Sequence, residues 1–261
     1  MGKHGTLAAA GAAALVTVRV AAAADRRLGT RPVATVTAAV TAGAYLVGTL
    51  VPTSRLFGAV ARADTVTDTF ALTFDDGPDP RYTPAISSIL AERGHRATFF
   101  VLGRAVRAHP ELTAGVVDAG HELACHGHDH RLLAFSSPQE LRRQIRVTED
   151  AVRAASGAPP ERLFRAPHGV RSPWLTRVVE REGYRVCAWD GSVFDTAEPG
   201  PVVIAARVER FLRPGTIVLL HDGDGSGQGG SRQQTVDALP AILDAAERKG
   251  LRSVPLSTLV A

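Results

Sequence analysis

The sequence predicts an α/β fold, a (β/α) barrel of seven units preceded by one or two N-terminal membrane-spanning helices. Three observations carry this. Seven short apolar runs read as strands, near 70–74, 97–102, 121–125, 162–165, 184–190, 215–220 and 251–254, with helical patterns between them. Ionisable residues follow directly on five of those runs, as they do where one face of a barrel builds a site. Residues 33–52 form an uncharged stretch of 20 ahead of the charged body. A doubly wound open sheet is the alternative arrangement of the same units.

The N-terminal segment differs from the rest in composition. Residues 1–60 are rich in Ala, Val, Thr and Gly, and Asp25 is their one acidic residue. As a helix, residues 33–52 would span roughly 30 Å, the thickness of a bilayer core. Lys3, Arg19, Arg26, Arg27 and Arg31 precede the stretch. A single span therefore leaves the N-terminus in the cytoplasm and the main domain outside the cell membrane. A second span over 5–24, with Arg19 snorkelling, or a signal-like apolar region, is also open. A core helix at 33–52 is the competing reading, but no polar stripe divides its faces. The boundaries that follow are an anchor over 1–60, a linker over 61–69 and one main domain over 70–261.

Helices in that domain announce their ends. Thr83, Pro84 and Gly94 mark one, with Thr83 expected as N-cap. Ser137, Pro138 and Glu140 form a capping-box pattern ahead of Leu141, Ile145 and Val152, which share a face. Ser172, Pro173 and Gly183 repeat the scheme, and the last helix stops at Gly250. Alternation of this kind argues for parallel strands with helical crossovers.

Other classes drop out on composition. The net charge is +4, but no dense basic stripe with interleaved aromatics exists, so nucleic acid is not an expected partner. Cys125 and Cys187 are too few for a disulfide framework or a cysteine metal cluster and read as buried thiols.

The residues after the apolar runs are Asp75 and Asp76, then "HGHDH" (126–130), "RAPHG" (165–169), "WDGSVFD" (189–195), and His221 with Asp222. Adjacent carboxylates repel and need a positive partner. His126 and His130 can face one way on a helical turn. His126, His128 and His130 can line one side of an extended strand. Either set can bind a divalent metal through neutral imidazole, leaving positions open for water and substrate. "DGDGSGQGGSRQQT" (222–235) is glycine-rich without a P-loop pattern and reads as a mobile rim beside His221.

"TFDDGP" (73–78), "ATFFVLG" (97–103), H-x-x-x-H (126–130), R-x-P-x-G (165–169) and L-L-H (219–221) stand in this order. Together they resemble the polysaccharide deacetylases, carbohydrate esterase family four, over roughly residues 68–258. The resemblance implies a distorted seven-stranded (β/α) barrel that hydrolyses an N-acetyl group on a sugar polymer. By position, Asp76, His126 and His130 look like ligands of a divalent metal, Zn2+ first, with Co2+ or Mn2+ as alternatives. Asp75 looks like the general base, and Arg165 like the residue that pairs with it. Asp195 resembles the carboxylate that orients the catalytic histidine. His221 looks like the general acid and Leu219 like a wall of the acetyl pocket. The backbone N–H of His168 resembles an oxyanion donor.

The chain departs from the family at three places. His168 stands where an aromatic residue is usual, and Ser192 and Thr196 replace an Asp and a Trp. The expected partners are an N-acetylated envelope glycan and, through the N-terminal helix, the membrane, with the chain a monomer. O-acetyl ester hydrolysis on a xylan-like polymer, a lipid-linked glycan substrate, and a glycan-binding protein with a degenerate site are the competing readings.

Overall fold

The computed structural model describes residues 30–51, 54, 56–65 and 67–261. The possible second span at 5–24 lies outside them. The first helix, α1 (Thr30–Leu50), covers most of the stretch expected to cross a membrane. Among the described residues, however, no helix is long and apolar enough to do so. The predicted crossing at 33–52 is therefore not borne out. Thr and Gly recur through the helix at positions such as Thr37, Thr41, Gly43 and Gly48 and dilute its hydropathy. Residues 35–47 are exposed, while Gly48 and Thr49 are buried. The end of α1 is held by Arg171, whose N–H donates to the Thr49 carbonyl (3.2 Å) and whose Nη2 donates to that of Val51 (2.7 Å).

The main domain runs β1 (Thr69–Asp75), α2 (Thr83–Glu92), β2 (Ala97–Val101), α3 (Gly103–Ala108), α4 (Pro110–Asp118), β3 (Glu122–Cys125), α5 (Pro138–Ser156) and β4 (Leu163–Phe164). It continues through α6 (Pro173–Arg181), β5 (Arg185–Val186), β6 (Gly191–Ser192), α7 (Pro201–Phe211), β7 (Ile217–His221), α8 (Gln233–Arg248), β8 (Arg252–Ser253) and α9 (Leu256–Leu259). Every strand pair is parallel, in the order β5-β4-β3-β2-β1-β7-β6, with β8 against the start of β1. Eight strands thus replace the seven expected, because a short strand, β6, follows directly on the run at 184–190 that holds β5.

The sheet is a curled half-barrel, not a closed one. Its two ends, β5 and β6, are not paired with each other. Two residues apiece is too little ladder to continue the circuit. Residues 59–63 bridge part of the gap: Val60 pairs with Cys187, and Arg62 pairs with Thr216. Ala59, Ala61 and Ala63 are buried there, so the first third of what reads as a linker is wall.

Local signals explain the helices. Ser137 Oγ accepts from Glu140 N (3.2 Å), Pro138 opens α5, and Gly157 closes it at φ 78°. Ser172 caps α6 through Leu175 N (3.0 Å). Thr83 does not cap α2; its hydroxyl donates instead to Asp222 (2.6 Å). Leu141, Ile145 and Val152 are buried as their spacing requires. Cys125 and Cys187 are buried free thiols, as expected, and burial pushes both up to about 12.

Candidate active site

Strand register brings the polar residues together. Asp75 ends β1 opposite His221, the last residue of β7. Cys125 ends β3 beside Phe164 of β4, so the following residues, His126 and Arg165, leave neighbouring strands at the same level. These C-terminal ends surround a cavity of about 360 Å³ lined by Asp75, Asp76, His126, His130, His168 and His221, with Leu219 and Trp189 as apolar wall. A cleft of about 550 Å³, beside Leu163 and Arg185 at the starts of β4 and β5, holds none of these groups.

Asp75 is buried against Arg165, whose Nη1 donates to its Oδ1 at 2.8 Å. The same nitrogen donates to Thr73 Oγ1 (2.7 Å), and Nη2 donates to the Ala188 carbonyl (3.0 Å). The guanidinium lies 4.0 Å from the Phe100 ring centre. Arg165 is fully buried, so its charge is matched almost entirely by Asp75 and by these acceptors.

Asp76 turns the other way, at φ 80°. Its Oδ1 lies 3.4 Å from His126 Nε2 and 3.1 Å from His130 Nε2. That oxygen is buried without a hydrogen-bond partner. Burial opposes ionisation, but the imidazoles of His126, His221 and His130 hold the Asp76 carboxyl well below the usual carboxylate range. His126 donates Nδ1–H to the Arg165 carbonyl (2.9 Å), which aims Nε2 at the carboxylates. Burial opposes its protonation, yet Asp75 and Asp76 raise its pKa. Burial pushes His130 down to about 4, so its ring is neutral near pH 7. Among the described residues, Asp76, His126 and His130 form the group whose ligand atoms lie within 4.8 Å of one another. A buried, unpartnered carboxylate oxygen between two imidazole nitrogens fits a divalent cation, and two His with one carboxylate is a donor set that suits zinc.

A second pair stands across the cavity. His221 Nδ1 donates to Asp195 Oδ1 (2.9 Å), and its main-chain N–H donates to Oδ2 (2.9 Å). Thr235 Oγ1 donates to Oδ2 as well (3.0 Å). Burial pulls the His221 pKa down, but the Asp195 charge outweighs it and raises it to about 9. Burial raises Asp195, and His221 more than offsets that, leaving it below its ordinary value.

His168 lies at φ 61°, with Nε2 3.1 Å from the His130 carbonyl and its ring 4.4 Å from the His130 ring. Thr196 lines the same cavity. His128 does not join the set: it packs at Gly103 and Thr148, away from the carboxylates. His121 bonds the main chain of Ser87 and Ala97.

Three contributors escape a sequence reading. Thr73 shares the Asp75 face of β1, and its i, i+2 spacing was the one available signal. Thr235 arrives from α8 with no local signal. Asp222, fully buried, accepts from Gly77 N (3.1 Å) and from Thr83. Burial pushes its carboxyl up to about 7, against those hydrogen bonds. A Cβ at Gly77 would lie 2.0 Å from Asp222 Oδ2. Gly77→Ala is expected to cost about 1–3 kcal/mol as overpacking, read as a lower urea midpoint with unchanged slope.

Known proteins match this chain. The polysaccharide deacetylase family model matches residues 62–187. A chitooligosaccharide deacetylase from Bradyrhizobium sp. (strain ANU 289) is 37% identical over 194 residues, 72% of this chain and 89% of that protein. A peptidoglycan-N-acetylglucosamine deacetylase from Bacillus cereus is 35% identical over 192 residues, 73% and 87% of the two chains. The crystal structure of the Bc1960 peptidoglycan N-acetylglucosamine deacetylase superposes with a TM-score of 0.73 at 28% identity, covering 77% of this chain and 92% of that one. With its site geometry and these relatives, the chain belongs to the polysaccharide deacetylase family of hydrolases.

Proposed function

We propose that this protein removes N-acetyl groups from N-acetylglucosamine units of a cell-envelope glycan of the peptidoglycan or chitin type. One observation carries the reading. Two ion pairs, Asp75 with Arg165 and Asp195 with His221, flank the Asp76, His126 and His130 cluster around one cavity.

Amide hydrolysis needs a base, an acid and a stabilised oxyanion, and the chain offers a group for each. When bound at Asp76, His126 and His130, a divalent cation supplies Lewis acidity, easing deprotonation of water and polarising the acetyl carbonyl. Asp75 accepts the proton of the attacking water, and Arg165 pairs with that carboxylate and aims it. His221, as imidazolium, protonates the departing sugar nitrogen, so acetate and a free amine leave. Asp195 holds the His221 ring and its charge. Leu219 and Trp189 give the acetyl methyl an apolar wall, and the His168 main chain faces the oxyanion.

The decisive test is acetate release from chitooligosaccharides, peptidoglycan and acetylated xylan by the purified chain. Release from the first two, lost on chelation and regained with Zn2+, Co2+ or Mn2+, is the expected result. Release from xylan alone would move the activity to O-acetyl esters. No release, with glycan bound, would make this a binding protein.

Every group of the site comes from one chain, which supports a monomer as the working unit. We place that unit outside the cytoplasm, where such glycans lie. Membrane attachment through the N-terminal segment 1–60 is supported by its composition, and fractionation of cells expressing the full chain tests it: recovery in the soluble cytoplasmic fraction would refute this placement.

A further inference from the structure

The glycine-rich stretch 222–232 has no part in the chemistry above, and it is not a loose rim. Arg104 Nη2 donates to the Gly225 carbonyl (2.7 Å), while the Arg104 main-chain N–H donates to the carbonyl of His128 (3.0 Å). Arg232 Nε donates to the Gly223 carbonyl (2.9 Å). Asp224 folds the segment on itself, accepting from Ser226 N (3.0 Å), Ser226 Oγ (2.7 Å) and Gly230 N (2.9 Å).

Two alternate glycines of this loop lie against two of the three ligating residues. A Cβ at Gly223 would stand 2.5 Å from the Asp76 carbonyl oxygen. One at Gly225 would stand 2.5 Å from His130 Nδ1 and 2.6 Å from Cε1. Only main chain fits in either place. The two histidines also differ in how they are held. His126 is aimed by its Nδ1–H bond to Arg165. No hydrogen bond to a described residue holds Nδ1 of His130. Its ring is wedged between the Gly225 main chain and the His168 ring, and its carbonyl takes the His168 Nε2–H.

We propose that the glycine-rich loop is the backing of the metal site: clamped by Arg104, its main chain at Gly223 and Gly225 holds Asp76 and His130 in ligating position. Gly225 and Arg104 are then positioning residues, acting on the cation through His130. This rests on the metal reading above. It explains why "DGDGSG" alternates glycine with polar residues directly after the strand that ends in His221.

The test measures zinc affinity of the full chain by competition with a chromophoric chelator, without substrate. It also records the cobalt absorption spectrum as a report on ligand geometry. Gly225→Ala and Arg104→Ala are each expected to weaken zinc binding about 10–100-fold, the range for groups that orient ligands, and to alter the cobalt spectrum. Val202→Ala, at a residue 79% exposed on α7, is the control expected to match wild type. If Gly225→Ala fails to fold, Arg104→Ala decides, since it adds no atoms. Wild-type affinity and spectrum in Arg104→Ala would overturn the proposal. Failure of the unaltered chain to bind any cation would instead overturn the metal reading itself.

Discussion

Asp75→Asn is expected to lower kcat about 10²–10⁴-fold, the contribution of a positioned general base, without loss of a cation bound at the proposed site. The side chain keeps its shape and an oxygen that can accept from Arg165, but it can no longer take a proton. The proposed ligating set of Asp76, His126 and His130 is untouched. Metal content by mass spectrometry should therefore match wild type. The same change leaves the Arg165 guanidinium buried without its counter-charge. Removing one partner of a buried pair costs up to about 3–5 kcal/mol, so urea unfolding should shift to a lower midpoint. A kcat within a few-fold of wild type would remove Asp75 from the base role. Loss of the metal would mean that Asp75, whose Oδ2 lies 3.8 Å from His126 Nε2, belongs to the ligand set.

Asp195→Asn moves the alkaline limb of the pH profile. In the mechanism proposed above His221 is the proton donor, and Asp195 raises its pKa to about 9. The acid form is therefore present through neutral pH, and kcat/KM is expected to fall as the pH rises through about 9. Without the Asp195 charge, burial acts on His221 with much less opposition. The limb should move about 1–3 pH units toward acid, with a loss of rate near pH 8 that lowering the pH partly restores.

The pair also ties stability to pH. The folded pKa of His221 lies above its unfolded value of about 6.5. Its stabilisation is thus complete below about 6.5 and is lost as the pH rises through about 9. Asp195, with a lowered folded pKa, stabilises above its unfolded value and loses this as the pH falls through the folded one. A mutant with an unmoved alkaline limb would show that another group supplies the proton.

Much of the fold is legible in the chain itself. Pro138 after Ser137, Pro173 after Ser172 and the glycines at 94, 183 and 250 mark helix ends, because caps depend on a few consecutive residues. Apolar runs locate β1, β2, β3 and β7 for a like reason: buried parallel strands read as continuous hydrophobic segments. Asp75, Asp76, His126, His130, Arg165 and His221 stand out as ionisable residues at the ends of such runs; the structure gathers five of them around one cavity and buries Arg165 behind Asp75.

What the tertiary structure decided depends on neighbours far along the chain. Strand β6 is two residues long and exists only because Gly191 and Ser192 meet Val218 and Leu219 in register. Residues 59–63 become wall because an edge is left open beside Cys187 and Thr216. Thr83 gives up a capping position that its sequence favours because its hydroxyl donates instead to the buried carboxylate at 222. The sequence determined which residues carry charge and where helices begin. The register of the curled sheet decided which charges meet, since hydrogen bonds and Coulomb attraction act over a few ångströms and not along the chain.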